Sequence, residues 1–112
     1  MLNIEKIDDV LIVSLATDSK LNSAISQKFK LEVTGLINQP GIKMVIDLGG
    51  IDYIDSSGFG SLLSILRAAK NNDAQLKFCS FTTEVMELVK LLQLHSVFDI
   101  RQNVDECLKS FY

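Results

Sequence analysis

The segment Ile42-Lys-Met-Val-Ile-Asp-Leu48 is short, β-branched and nearly continuous in apolar residues, and it stops at Gly49-Gly50. Such a run has little polar face to turn toward water, so it reads as a central strand covered on both sides. Helices must therefore cross over it, and the flanking sequence supplies them. Before it, Ile25, Phe29, Val33, Leu36 and Ile37 recur at helical spacing between Ser23 and Asn38, with Asn22 or Ser23 placed to cap the first N–H groups and Pro40-Gly41 placed to stop the helix. After it, Phe59, Leu62, Leu63, Leu66 and Ala69 mark a second amphipathic helix that runs to Asn71-Asn72-Asp73.

The remaining elements follow the same logic. Ile4 to Ile7 and Val10 to Leu15, separated by Asp8-Asp9, read as a hairpin with a polar turn. Gln75 to Phe81 reads as a strand, and Thr83 to Leu92 as a helix with Val85, Leu88, Val89 and Leu92 inward. Val97 to Ile100 reads as a last strand, and Asn103 as the cap of a short helix carrying Leu108 and Phe111. The order β-β-α-β-α-β-α-β-α predicts an α/β fold, a mixed four- to five-stranded sheet with about four helices. With 112 residues, 47% of them hydrophobic, and a single proline, the chain reads as one domain over residues 1–112 with no linker or repeat.

Charge and cysteine content narrow the function. A net charge of −3 argues against a nucleic-acid partner, since a phosphate backbone rewards clustered cations. Cys79 and Cys107 lack the spacing of a metal knuckle or redox pair and read as small buried hydrophobes. Neither a metal nor a cofactor is expected. No apolar stretch is long enough to span a bilayer, and Met1-Leu-Asn-Ile-Glu-Lys does not resemble a signal, so the expectation is a cytoplasmic chain without direct membrane insertion. Met44, Met86 and Leu91-Leu92 are expected to fill the core, and Lys28, Lys30, Glu32 and Lys43 to form a solvated face.

The chemistry concentrates in Asp47-Leu-Gly-Gly-Ile-Asp-Tyr-Ile-Asp-Ser-Ser-Gly-Phe-Gly60, between a buried strand and a helix. Asp55 or Ser56 is placed to cap that helix, leaving Ser57 in its first turn. Gly58 and Gly60 each cost a helix about 1 kcal/mol relative to alanine, which suggests a close approach at this turn. The residues alone support two compatible readings: a capped helix packed tightly through small residues, and a surface turn open to phosphorylation.

Val45-Ile-Asp-Leu48, Ile54-Asp-Ser-Ser-Gly-Phe-Gly60 with Leu62-Leu63, and Leu91-Leu-Gln-Leu94 leading to Val97-Phe-Asp-Ile100 together resemble the STAS domain family (sulfate transporter and anti-sigma factor antagonist), in particular its free-standing bacterial anti-sigma factor antagonists. The resemblance covers nearly the whole chain. It implies a non-enzymatic partner switch: the unphosphorylated domain binds an anti-sigma factor that is also a serine kinase, phosphorylation of Ser57 undoes the binding, and a serine phosphatase restores it. The partner surface it implies comprises Asn22, Ser23, Ile54, Asp55, Ser56, Ser57, Gly58 and Phe59, with Phe59 also reaching the core. One departure is Ser19-Lys-Leu-Asn22, where the family often carries a Gly-x-Leu-Asp-like turn beside the phosphorylation loop.

Other readings fare worse. Ser57 as a hydrolase nucleophile with His95 as base lacks the Gly-x-Ser-x-Gly elbow, and His95 reads as a solvated loop residue. The glycines lack the Gly-Lys-Ser/Thr that a phosphate cradle needs. The alternative within the resemblance is a soluble STAS accessory subunit of a lipid or anion transporter complex. The switch reading expects Asn22, Asp55, Ser57 and Gly58 to be exposed and the Ser56 oxygen to be engaged with backbone N–H groups. It expects a phosphate on Ser57 to meet the positive end of the helix and its free N–H groups, opposed by Asp55.

Overall fold

The computed structural model describes residues 2–112, and its first two strands are the expected hairpin. Strands β1 (Leu2–Ile7) and β2 (Val10–Leu15) pair antiparallel, and Asp8 takes a positive φ of 54° in the turn between them. Strands β4 (Lys43–Asp47), β6 (Gln75–Cys79) and β7 (Ile100–Arg101) extend the sheet in parallel, giving the order β1-β2-β4-β6-β7. The run that reads as a central strand is indeed central, with Met44, Val45 and Ile46 fully buried. The mixed five-stranded sheet with four helices is the expected α/β fold.

Alternation along the strands sorts two cores. Val13, Ile46 and Phe78 lie in register across the sheet and face helices α1 (Ser26–Leu36), α2 (Ser56–Asn71) and α3 (Thr83–Leu91), through Phe29, Leu62, Ile65 and Val89 among others. Ile12, Val45 and Cys79 face the other way, toward Cys107 of α4 (Val104–Ser110). Both cysteines are free and fully buried, as expected. Asn103 caps α4 by accepting from Glu106 N at 2.9 Å.

Several boundaries differ from the sequence reading, for identifiable reasons. Strand β6 stops at Cys79 because Ser80 turns left-handed (φ 67°), and Thr82 then caps α3 by accepting from Val85 N. Helix α3 buries only the Val85 and Val89 stripe before Gln93 turns left-handed (φ 59°). Leu88 and Leu92, expected inward, are therefore exposed, as is Leu91 at 76%. A 3-10 turn, Leu94–Ser96, follows, with His95 exposed, and the last strand begins at Ile100 rather than Val97. Lys43 is not simply solvated: it pairs with Asp9 at 3.0 Å and sits over the Tyr112 ring.

The element that matters most for the site is one the sequence reading leaves as loop. Strands β3 (Lys20–Leu21) and β5 (Tyr53–Ile54) form a separate two-stranded parallel ladder. Asp52 N donates to Ser19 O at 2.9 Å and Asp55 N to Leu21 O at 3.2 Å, so the Ser19–Asn22 turn is strapped to the start of α2.

Candidate functional site

Asp55 organises this corner. It is the residue before α2, in extended conformation, and its Oδ1 accepts from Gly58 N at 2.9 Å, closing the helix cap. The same oxygen accepts from the Ser57 hydroxyl at 2.6 Å, while Oδ2 accepts from Ser23 N at 3.1 Å, across the chain from the other turn. The Ser57 hydroxyl and then the Gly58 N–H hold the Asp55 carboxyl below the ordinary aspartate value of 3.8, against an opposing effect of burial, with lesser help from the N–H groups of Ser23 and Ser57.

Ser57 is therefore partly exposed, with its oxygen held toward Asp55 by the proton it donates. Ser56 corrects the expectation made of it: Asp55 takes the capping role, and the Ser56 side chain is exposed with no hydrogen bond among the described residues. Of the first-turn N–H groups expected to be free for a phosphate, that of Gly58 is already taken by Asp55.

Gly58 also departs from expectation, because it is buried. A β-carbon there would run into the Leu21 carbonyl oxygen and lie 2.7 Å from Ile54 Cγ2. The close approach that the glycine suggests is thus made by the β3–β5 ladder. Gly60 has open space around it. Ile54 and Phe59 are 2% and 6% exposed, so they reach the surface only by supporting the loop above them, and Phe59 does join the core.

The second turn differs in detail. Asn22, expected as the cap of α1, instead accepts from Ala24 N through Oδ1 at 3.1 Å and through its carbonyl from Ile25 N and Ser26 N. This local turn delays the helix to Ser26, and no side chain caps it. Asn22 is partly exposed and Ser23 exposed. Of the eight surface residues named from the sequence, Asn22, Ser23, Asp55, Ser56 and Ser57 come together with accessible atoms, and Ile54, Gly58 and Phe59 lie beneath them.

Two neighbours escaped the sequence reading. Tyr53 is 49% exposed on β5 with Lys20 over its ring, and Lys30 of α1 lines a groove with Ser57. The signal for the groove was present in the spacing Ser57, Gly60, Ser61, Ser64, a stripe of small and polar residues along one side of the helix. A larger open groove of about 520 Å³ lies on the opposite face of the sheet, lined by Glu5, Ser14 and Asp47 among others, and does not include Ser57. Among the described residues no cluster of side chains suits a metal ion, and no helix is long and apolar enough to cross a membrane.

Comparison with known proteins agrees with this architecture. The family model described as the STAS domain matches residues 1–107. A Bordetella bronchiseptica protein named as an anti-sigma factor antagonist, BtrV, is 26% identical over 110 residues, covering 98% of this chain and 93% of its own. Among solved structures, an anti-sigma-factor antagonist (STAS) domain protein from Planctomyces limnophilus superposes with a TM-score of 0.88 at 16% identity, covering 97% of this chain and 96% of that one. The phosphorylated form of the Bacillus cell fate determinant SpoIIAA superposes with a TM-score of 0.73 at 12% identity over 100% of both chains.

Proposed function

This chain belongs to the STAS domain family, and from that premise we propose that it is an anti-sigma factor antagonist that works by partner switching. Unphosphorylated, it binds an anti-sigma factor that is also a serine kinase. Phosphorylation of Ser57 releases it, and a serine phosphatase restores it. The observation that carries this reading is the state of Ser57: a partly exposed hydroxyl whose helix is already capped by its neighbour Asp55, so that modifying it leaves the cap in place.

The kinase brings ATP and magnesium. The γ-phosphoryl group passes to Ser57 Oγ, ADP leaves, and the hydroxyl proton goes to a base on the kinase. This chain is then the substrate and not the catalyst. Asn22, Ser23, Asp55, Ser56 and Ser57 supply the contact atoms, and Ile54, Gly58 and Phe59 hold the loop's shape from below. The phosphate adds about −1.5 to −2 charges at pH 7 to a surface complementary to a neutral hydroxyl. A mismatch of only about 1.4 kcal/mol lowers affinity tenfold.

The test is to incubate the chain with the histidine-kinase-like serine kinases of its genome and map any phosphate by tandem mass spectrometry. Label is expected on Ser57. Label on Ser56 alone, or no label with any of these kinases, overturns the assignment.

A further inference from the structure

The groove beside Ser57 has a volume of about 260 Å³ and runs between α1, which contributes Ser26, Gln27 and Lys30, and α2, which contributes Ser57, Ser61 and Ser64. Its chemistry is one-sided. Lys30 makes no ion pair among the described residues, and no carboxylate lines the groove. Ser61 is satisfied by donating to Gly58 O at 2.6 Å. Ser26 also lines the groove, and its hydroxyl, which makes no hydrogen bond among the described residues, stays open to it, since no buried side-chain oxygen there is left without a partner. A hydroxyl donor open to the groove beside an unpaired ammonium is the chemistry that holds an oxyanion.

We propose that this groove is an oxyanion pocket for the phosphoryl group carried by Ser57, with the Lys30 ammonium and the Ser26 hydroxyl as its ligands. The proposal deepens the reading of Ser57 as the phosphorylated residue and rests on it. Esterification removes the O–H that Ser57 donates to Asp55, and the new dianion is repelled by that carboxylate. The Gly58 N–H cannot receive the phosphate, because Asp55 already accepts from it. The groove is the neighbouring direction that offers a cation and a free donor. Phosphorylation then does more than add charge: it turns the Ser57 side chain from the Asp55 side toward α1, and so withdraws one of the contacts a partner reads.

The test uses the full chain with phosphoserine installed at position 57 during translation, so that its outcome does not depend on any kinase. The readout is the second ionisation of the phosphoserine, followed by phosphorus NMR. Lys30→Met is expected to raise that pKa by roughly half a unit or more, because it removes an opposite charge. Lys28→Met removes the same charge from an exposed position on α1 and is expected to leave it in place. Lys30→Arg should keep the low value, which guards against a fold defect in Lys30→Met. Equal responses to Lys30→Met and Lys28→Met overturn the proposal. In a second arm, inorganic phosphate added to the unmodified chain is expected to leave the Ser26 and Lys30 resonances unmoved at millimolar concentration. If they move, while the tethered phosphate ignores Lys30, the groove serves free phosphate and the proposal is wrong.

Discussion

Ser57 Oγ donates to Asp55 Oδ1 at 2.6 Å, and that same oxygen accepts the Gly58 N–H at 2.9 Å. One carboxylate oxygen thus serves both the proposed switch residue and the helix that presents it. The other oxygen reaches Ser23 N, 32 residues away in the chain, so a change at Ser57 is felt on both turns of the surface through a single side chain.

The first consequence is measurable as a titration. The Ser57 hydroxyl is the largest influence lowering the Asp55 pKa, so Ser57→Ala should raise it toward the ordinary value of 3.8. Carboxyl-carbon NMR of the two proteins against pH checks this, and an unchanged pKa would mean that the hydrogen bond is not maintained in solution. The sign for stability follows from linkage. A carboxyl depressed in the folded state stabilises it above the unfolded pKa, and that contribution is lost as pH falls through the folded value. Wild type should therefore hold a larger advantage over Asp55→Asn at neutral pH than at about pH 2.

The two glycines of the loop should respond in opposite directions to the same substitution. Gly58→Ala places a β-carbon against the Leu21 carbonyl and should destabilise by about 1–3 kcal/mol. Gly60→Ala meets open space within α2 and should stabilise by about 0.5–1 kcal/mol. Urea denaturation of the two variants measures both, and equal effects would contradict the strapped geometry of β3 and β5.

Much of this was legible in the sequence because it rests on periodicity and caps. Ile42 to Leu48 reads as a covered strand, Asn103 as a cap and Asp8-Asp9 as a hairpin turn, and each is so in the structure. The β3–β5 ladder was not legible, since a strand of two residues has no alternation to detect. Its consequence, the burial of Gly58, was hidden with it. Leu88 and Leu92 misled because a helix of nine residues can show a wide apolar stripe while only Val85 and Val89 are fully buried and Met86 partly so. Asn22 misled for a local reason: its side chain satisfied a turn N–H first and so delayed α1.

Cys79 and Cys107 supply an independent check on the core. Both are fully buried, and the neighbouring Cys79 sulfur, together with burial, pushes the Cys107 thiol up. Neither should react with a disulfide reagent at neutral pH except through opening of the sheet–α4 layer. Labelling should accelerate in parallel with unfolding as urea is added. Rapid labelling in native buffer would show that α4 does not stay on the sheet.

The most direct test of the switch is a calorimetric titration of the anti-sigma factor kinase against this chain with and without phosphate on Ser57, alongside circular dichroism of both forms. Binding should weaken at least tenfold on phosphorylation while the dichroism spectrum stays nearly unchanged, because the Asp55 cap on Gly58 survives the modification. Undiminished binding, or loss of binding accompanied by melting of α2, would contradict the account.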